Sequence, residues 1–209
     1  MFGLIYSVSL AREKINHQLV ITAGTQIPTK ILSEAFDPED KTLCDVQTVP
    51  DRFKFASSST VLSSDGNVFP LICGGCTNCT MKHAKGALEN LKSNVQKACI
   101  RLTSNGKWER QNDMMQARVQ FSLSNMENNH AVAVGGLDGN SKQGTKTSEI
   151  FDVTTGKWSS MEDLPVNIYG HCAVPYNQTF LIVLGGVQDG KVRKIILTAG
   201  LIAQLYIFM

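Results

Sequence analysis

The chain has 209 residues with a formal net charge of +2, and 43% of its residues are hydrophobic. This length and composition are typical of a soluble globular protein with one sizeable core or two small ones. The small net charge, with Lys191–Lys194 as the densest basic stretch, argues against a nucleic-acid partner.

Cysteine content and the two ends of the chain bear on its location. Six cysteines are too few for a disulfide scaffold, so we expect a reducing, cytoplasmic location. Glycosylation sequons that begin at Asn78 and Asn177 keep a secreted alternative open. The apolar start lacks the basic region of a signal peptide. The uncharged last fifteen residues are fewer than the roughly 20 of a membrane helix, so a membrane is not an expected partner.

The first predicted unit starts with the apolar residues 1–11, which we interpret as a strand. A second apolar run ends at Ala23 and Gly24, and Phe36 then precedes Leu43 by seven residues. Arg52 lies in the exit loop that follows, after a proline.

The second unit contains an apolar run that ends in a glycine doublet, Gly74 and Gly75, directly after Cys73. Cys73, Cys76 and Cys79 are spaced by three residues, and His83 follows. We interpret Cys73 as a small buried hydrophobic residue, because the positions before the later doublets are apolar. A loop metal site with Cys76, Cys79 and His83, helped by Cys99, and thiol oxidation are the alternatives. We expect no metal and no cofactor.

An insertion follows at residues 80–97, about ten residues longer than the corresponding loops. Its apolar residues recur with helical spacing, which predicts a short amphipathic helix; they are Ala84, Ala87, Leu88, Leu91 and Val95. The helix either packs on its own unit or protrudes to bind a partner, and disorder of the segment is the remaining alternative. The unit closes with Trp108, which Arg101 precedes by seven residues.

The third unit is the most regular. After Arg118 in the exit loop, an apolar run ends at Gly135 and Gly136, and Phe151 precedes Trp158 by seven residues. Thr-Gly and Asn-Gly pairs before the tryptophans are typical of hairpin turns. A fourth unit has its doublet at Gly185 and Gly186, but the apolar tail after it lacks the spaced aromatic and tryptophan.

The repeat period predicts the architecture. From Gly24, the second glycines of the three doublets follow at intervals of 51, 61 and 50 residues. The apolar runs before the glycine pairs are too short for helices and are rich in residues that favour β-strands. Four short strands per unit, repeated around an axis, make a β-propeller. The tryptophan gives each sheet an apolar plate for its neighbour.

This combination of apolar strand, glycine doublet, spaced aromatic and tryptophan, and exit arginine resembles the kelch repeat. The resemblance implies an all-β, kelch-type propeller that is incomplete, with about three to four blades. The approximate repeats are 5–50, 51–115, 116–165 and 166–209, with the helical insertion at 80–97. Its structural markers are Gly74, Gly75, Gly135, Gly136, Gly185, Gly186, Phe151, Trp108 and Trp158.

The resemblance also implies a function. Kelch-like propellers are protein-interaction modules, among them substrate receptors of cullin ubiquitin ligases and actin binders. We expect no enzyme activity, because the four histidines are scattered and no nucleophile or phosphate-loop motif appears. A secreted or membrane-anchored kelch protein and a sugar-modifying propeller enzyme are the alternatives. The unpaired blade faces of an open arc also predict self-association.

Candidate binding residues lie in the loops after the doublets and in the exit loops. Arg52 and Arg118 are candidate charged anchors for a protein partner, with a structural role as the equal alternative. The other candidates are Asp138, Asn140, Lys142, Gln188 and Asp189.

Overall fold

A computed structural model describes most of the chain. The described residues are 6–11, 18–26, 30–37, 41–45, 47, 49, 53, 56–62, 68–77, 80–82, 87–89, 94–103, 105–126, 129–138, 144–176, 180–192, 196–200 and 207–208. They form twenty strands, numbered β1–β20 in chain order.

Sixteen of the strands form four antiparallel, four-stranded sheets, here called blades 1 to 4. Blade 1 comprises β1 Tyr6–Ala11, β2 Gln18–Gln26, β3 Lys30–Asp37 and β4 Thr42–Asp45. Blade 2 comprises β5 Ser57–Leu62, β6 Val68–Cys73, β9 Cys99–Leu102 and β10 Trp108–Gln111. Blade 3 comprises β11 Ser122–Met126, β12 His130–Val134, β13 Ser148–Asp152 and β14 Lys157–Ser160. Blade 4 comprises β15 Cys172–Pro175, β16 Phe180–Leu184, β19 Ile196–Gly200 and β20 Ile207–Phe208.

The blades are arranged side by side as in an incomplete β-propeller, which confirms the predicted all-β fold. The first strand of each sheet is the inner one: β1 lies against β5, β5 against β11, and β11 against β15. The hydrophobic core therefore lies between blades rather than within one. The junction of blades 2 and 3 buries Leu71, Met114, Phe121, Leu123 and Phe151. The junction of blades 3 and 4 buries Val132, Val134, Ile168, Leu181 and Val183.

The insertion is not the predicted helix. Within its described residues, β7 Thr80–Lys82 and β8 Ala87–Glu89 form a two-stranded antiparallel hairpin in which Met81 lies opposite Leu88. The base of the hairpin is paired as well, because Cys76 and Val95 form a β-bridge. A single short helix would be marginal on its own, whereas a hairpin satisfies its backbone groups by pairing. Ala84 and Leu91, on the expected helical face, lie outside the described residues.

The spaced aromatics behave as predicted in blade 3. Phe151 lies opposite Trp158 across β13 and β14, with ring centroids 5.0 Å apart. In blade 2 the register differs from the expectation, because Leu102 rather than Arg101 lies opposite Trp108. The Arg101 guanidinium instead lies 5.3 Å from the centroid of the Phe69 ring. The intervening turn is one residue shorter, which shifts the apolar partner by one position.

Each tryptophan also fastens its blade to the preceding segment. The indole N–H of Trp158 donates to the carbonyl of Asn112 at 3.1 Å, and that of Trp108 donates to the carbonyl of Gln47 at 2.7 Å. Both acceptors lie in exit segments that precede the inner strand of the same blade. Each tryptophan thus packs its apolar ring surface against the sheet, while its one polar group, the indole N–H, is hydrogen-bonded.

Candidate functional site

Two kinds of segment lie at one edge of the arc. They are the loops between the second and third strands of each blade, and the exit segments that lead from one blade to the next. We call this edge the loop edge. Backbone pairing holds it together: Val119 bridges Leu137, and Thr145 bridges Ile168. A small third hairpin also lies here, with β17 Val187–Gln188 paired to β18 Lys191–Val192. The loop edge is therefore a continuous, hydrogen-bonded surface rather than a set of separate loops.

The glycine doublets allow the exit segments to come this close. A Cβ on Gly135 would lie 2.7 Å from the Ile168 carbonyl oxygen and 2.8 Å from the His171 ring. One blade earlier, a Cβ on Gly74 would meet the matching groups, which are the carbonyl oxygen of Arg118 and the ring of Phe121. The first glycine of a doublet thus packs against the entry to the next blade, and both adopt positive φ.

The cysteines at the second doublet are structural. Cys73 and Cys99 lie opposite each other on β6 and β9 and form a disulfide. Cys73 is fully buried, as expected, but it is covalently paired rather than a free hydrophobic residue. Cys76 is buried and disulfide-bonded too. Cys79 and His83, the other members of the alternative metal site, lie outside the described residues.

Arg118 lies inside the junction of blades 2 and 3, although it was a candidate charged anchor for a partner. Its side chain is fully buried. Its Nε and Nη2 donate to Glu149 Oε1 at 3.1 and 2.8 Å. The remaining donors reach the Gly135 carbonyl at 2.7 Å and the backbone carbonyl and hydroxyl of Thr147 at 2.9 and 2.7 Å. The observed contacts are those of the structural alternative.

Glu149 completes this network from the other side. It accepts hydrogen bonds from the backbone N–H groups of Met115 and Gln116 at 2.6 and 3.0 Å. Burial lowers the pKa of the Arg118 guanidinium, and the hydrogen bonds and charge of Glu149 oppose that shift. The pair therefore fastens the exit segment of blade 2 to blade 3, and Arg118 is not available to a partner.

The groups that are accessible on the loop edge differ partly from those predicted. Met115 is 60% exposed beside the half-buried Gln116, whose side-chain amide donates to Asp138 at 3.4 Å. Lys146 and Asp163 form an exposed ion pair of 3.3 Å between the β12–β13 loop of blade 3 and the exit segment after that blade. Of the predicted residues, Asp138, Gln188 and Asp189 lie on this edge. Arg52, Asn140 and Lys142 lie outside the described residues.

Sequence reasoning missed Met115, Gln116, Lys146 and Asp163. The signal that could have found them is their place in the sequence: Met115, Gln116 and Asp163 lie in exit segments and Lys146 in a doublet loop, and both kinds of segment reach the same edge. Within the described residues, no group of three or more His, Cys, Asp or Glu side chains is placed to hold a metal ion. In the same part of the chain, none of the elements is a helix with the length and apolar character needed to cross a bilayer.

The family comparison agrees with this geometry. Residues 128–165, which include β12, β13 and β14 of blade 3 and the start of the exit segment after it, match the family model of the kelch motif. The chain therefore contains a kelch motif. A search of the curated proteins finds no match to it. The matched residues contain the glycine doublet, the aromatic pair and the start of the exit segment of blade 3.

A buried histidine, His171, lies at the entry to blade 4. His171 occupies the position that Phe121 has one blade earlier, with its ring against the preceding glycine doublet. Burial lowers the pKa of His171 to about 4, and a contact with the Val134 carbonyl opposes this shift. Between pH about 6.5 and about 4 the unfolded chain therefore binds a proton that the folded chain does not.

We expect this difference to make stability depend on pH. The contribution of neutral His171 is complete above pH about 6.5 and is lost as the pH falls to about 4, at a cost of about 3 kcal/mol. His171→Phe, which copies Phe121, removes this part of the dependence. Urea unfolding at several pH values in this window measures it, with Cys172→Ser as a control that keeps the wild-type profile. Parallel profiles for wild type and His171→Phe would contradict the assignment.

Proposed function

We propose that the protein binds another protein through its loop edge and carries out no chemistry itself. The kelch repeat supports a protein-interaction module. The observation that carries the proposal is the arrangement of the loop edge, where exposed apolar and charged side chains stand on a hydrogen-bonded base. Exposed Met115 beside the polar Gln116 and Asp138 resembles the mixture of apolar core and polar rim in protein interfaces.

The finer role that we propose is substrate recognition for a cullin ubiquitin ligase, and actin binding is the alternative. Both are roles that the resemblance to kelch-like proteins implies, and both need a preformed loop surface. No feature of the described residues favours the sugar-modifying alternative. The matching positions of the inner strands carry Ser57, Ser122 and Cys172 rather than converging carboxylates and arginines.

The test compares two edges of the same arc. Met115→Asp combined with Lys146→Glu changes the loop edge. Lys107→Glu combined with Lys157→Glu changes the opposite edge, where exposed Lys107 lies in the β9–β10 turn and exposed Lys157 begins β14. Affinity purification from cells, quantified by mass spectrometry, should lose partners by about tenfold or more with the first variant only. Purified actin filaments in a pelleting assay decide between the two finer roles. Equal loss with both variants would refute binding at the loop edge.

The disulfide bears on the location of this module. Bonds such as Cys73–Cys99 form and persist in oxidising compartments. This observation favours the secreted alternative, whereas the predicted cytoplasmic location depends on the cysteine count and on the lack of a basic region at the start of the sequence. Mass spectrometry of the protein from its native source, alkylated without reduction, decides between them. A free Cys73 thiol would support the cytoplasmic location.

A further inference from the structure

The inner strands are fastened to one another by a repeated hydrogen bond. Ser57 Oγ on β5 accepts from the backbone N–H of Leu123 on β11 at 2.9 Å. Ser122 Oγ on β11 accepts from the backbone N–H of Ala173 on β15, also at 2.9 Å. Both serines lie opposite the residue that precedes a glycine doublet, Cys73 for Ser57 and Val134 for Ser122. The same position of blades 2 and 3 thus binds the next inner strand.

Blade 4 repeats this arrangement with nothing beside it in the described structure. Cys172 lies opposite Leu184, which precedes the doublet Gly185 and Gly186, so its thiol takes the place of the two serine hydroxyls. Cys172 is exposed and not disulfide-bonded. We call Cys172, Val174 and Leu184 the open face.

The exposure of the open face differs from that of the matching face of blade 3. Val174 and Leu184 are 40% and 39% exposed. Their counterparts Ser124 and Val134 are 5% and 0% exposed, because blade 4 covers them. The open face therefore has the chemistry of a blade junction, with a hydrogen-bond acceptor beside apolar side chains, and no blade among the described residues covers it.

Blade 1 has the matching half of such a junction. In its inner strand Ser7 lies opposite Thr22, which precedes Ala23 and Gly24, so Ser7 corresponds to Ser57 and Ser122. Val8 then corresponds to the two residues whose backbone N–H groups bind those serines, Leu123 and Ala173. The chain thus contains an open face at one end of the arc and an inner strand of the complementary design at the other.

We propose that the open face binds blade 1 of a second copy of this chain, so that the inner strand β1 of that copy lies beside β15. The Cys172 thiol then accepts the backbone N–H of Val8 of the second copy. The interface is continuous with the blade junctions already present and follows their geometry. Such a contact is head-to-tail, and head-to-tail contacts form a closed ring where the rotation allows it. Two arcs of four blades make eight, which is within the usual range of propellers.

Self-association of the purified full chain tests this proposal, because it does not depend on the partner at the loop edge. Sedimentation velocity over a concentration series should show two copies at high concentration. Leu184→Asp places a carboxylate in the interface and should raise the dissociation constant by about tenfold or more. The matched control is Met115→Asp, which places the same charge on an exposed apolar residue of the loop edge and should leave association unchanged.

Alkylation of Cys172 gives a second measurement that needs no variant. Peptide mapping by mass spectrometry should show slower reaction with iodoacetamide at concentrations where two copies associate. A wild-type chain that stays a single copy at every soluble concentration would overturn the proposal. So would association that leaves Cys172 fully reactive, or that Leu184→Asp and Met115→Asp weaken equally.

Discussion

Replacing Glu149 with alanine is expected to lower the free energy of unfolding by about 3–5 kcal/mol, because the buried guanidinium of Arg118 then loses its counter-charge. Arg118 is fully buried and donates to Glu149 through both Nε and Nη2. The substitution also removes the acceptor of the backbone N–H groups of Met115 and Gln116. An unpaired buried charge and two unsatisfied donors act in the same direction. Urea unfolding followed by circular dichroism measures the loss.

Asp163→Ala is the matched control for this prediction. Its ion pair with Lys146 joins blade 3 to the exit segment after it, and the two side chains are 42% and 54% exposed. Solvent-exposed pairs of this kind contribute about 0–1 kcal/mol. Losses of equal size in Glu149→Ala and Asp163→Ala would contradict the view that burial makes the Arg118 pair the main fastening between blades 2 and 3.

The repeat allowed much of the fold to be predicted from the sequence. A doublet after a short apolar run, and an aromatic seven residues before Trp158, are local patterns that each follow from strand and turn geometry. The register of blade 3, with Phe151 opposite Trp158, confirms this interpretation. The helix predicted for residues 80–97 was wrong because spacing alone cannot show whether a short segment will pair with itself.

The chemistry of the loop edge was harder to predict because it depends on residues that are distant along the chain. An exit arginine can bind a partner or a neighbouring blade, and the outcome for Arg118 depends on Glu149, 31 residues later. The disulfide between Cys73 and Cys99 could not be predicted for the same reason, because the two residues are distant along the chain. The strand that contains Cys99 begins only after the insertion, so its register with β6 could not be counted from the sequence.

The glycine doublets are the feature with the most direct consequence for stability. Gly136 adopts a φ of 99°, a conformation that side chains rarely adopt. A Cβ at this position would lie 2.6 Å from Phe121 Cβ and 3.0 Å from the Val119 carbonyl oxygen. Gly136→Ala therefore combines backbone strain with a steric clash, and we expect it to lower the free energy of unfolding by about 3–5 kcal/mol.

Gly190→Ala separates these two effects. Gly190 also adopts a positive φ, 72°, in the turn between β17 and β18, but a Cβ there would meet nothing within 4 Å. This variant should lose only the backbone contribution, about 1–2 kcal/mol. Chemical denaturation of both variants under identical conditions gives the difference. A loss in Gly136→Ala no greater than that in Gly190→Ala would mean that the exit segment can move away from the doublet. The glycine doublet would then be required only for its positive φ. Close packing of the exit segment against the glycine would not determine the angle between neighbouring blades.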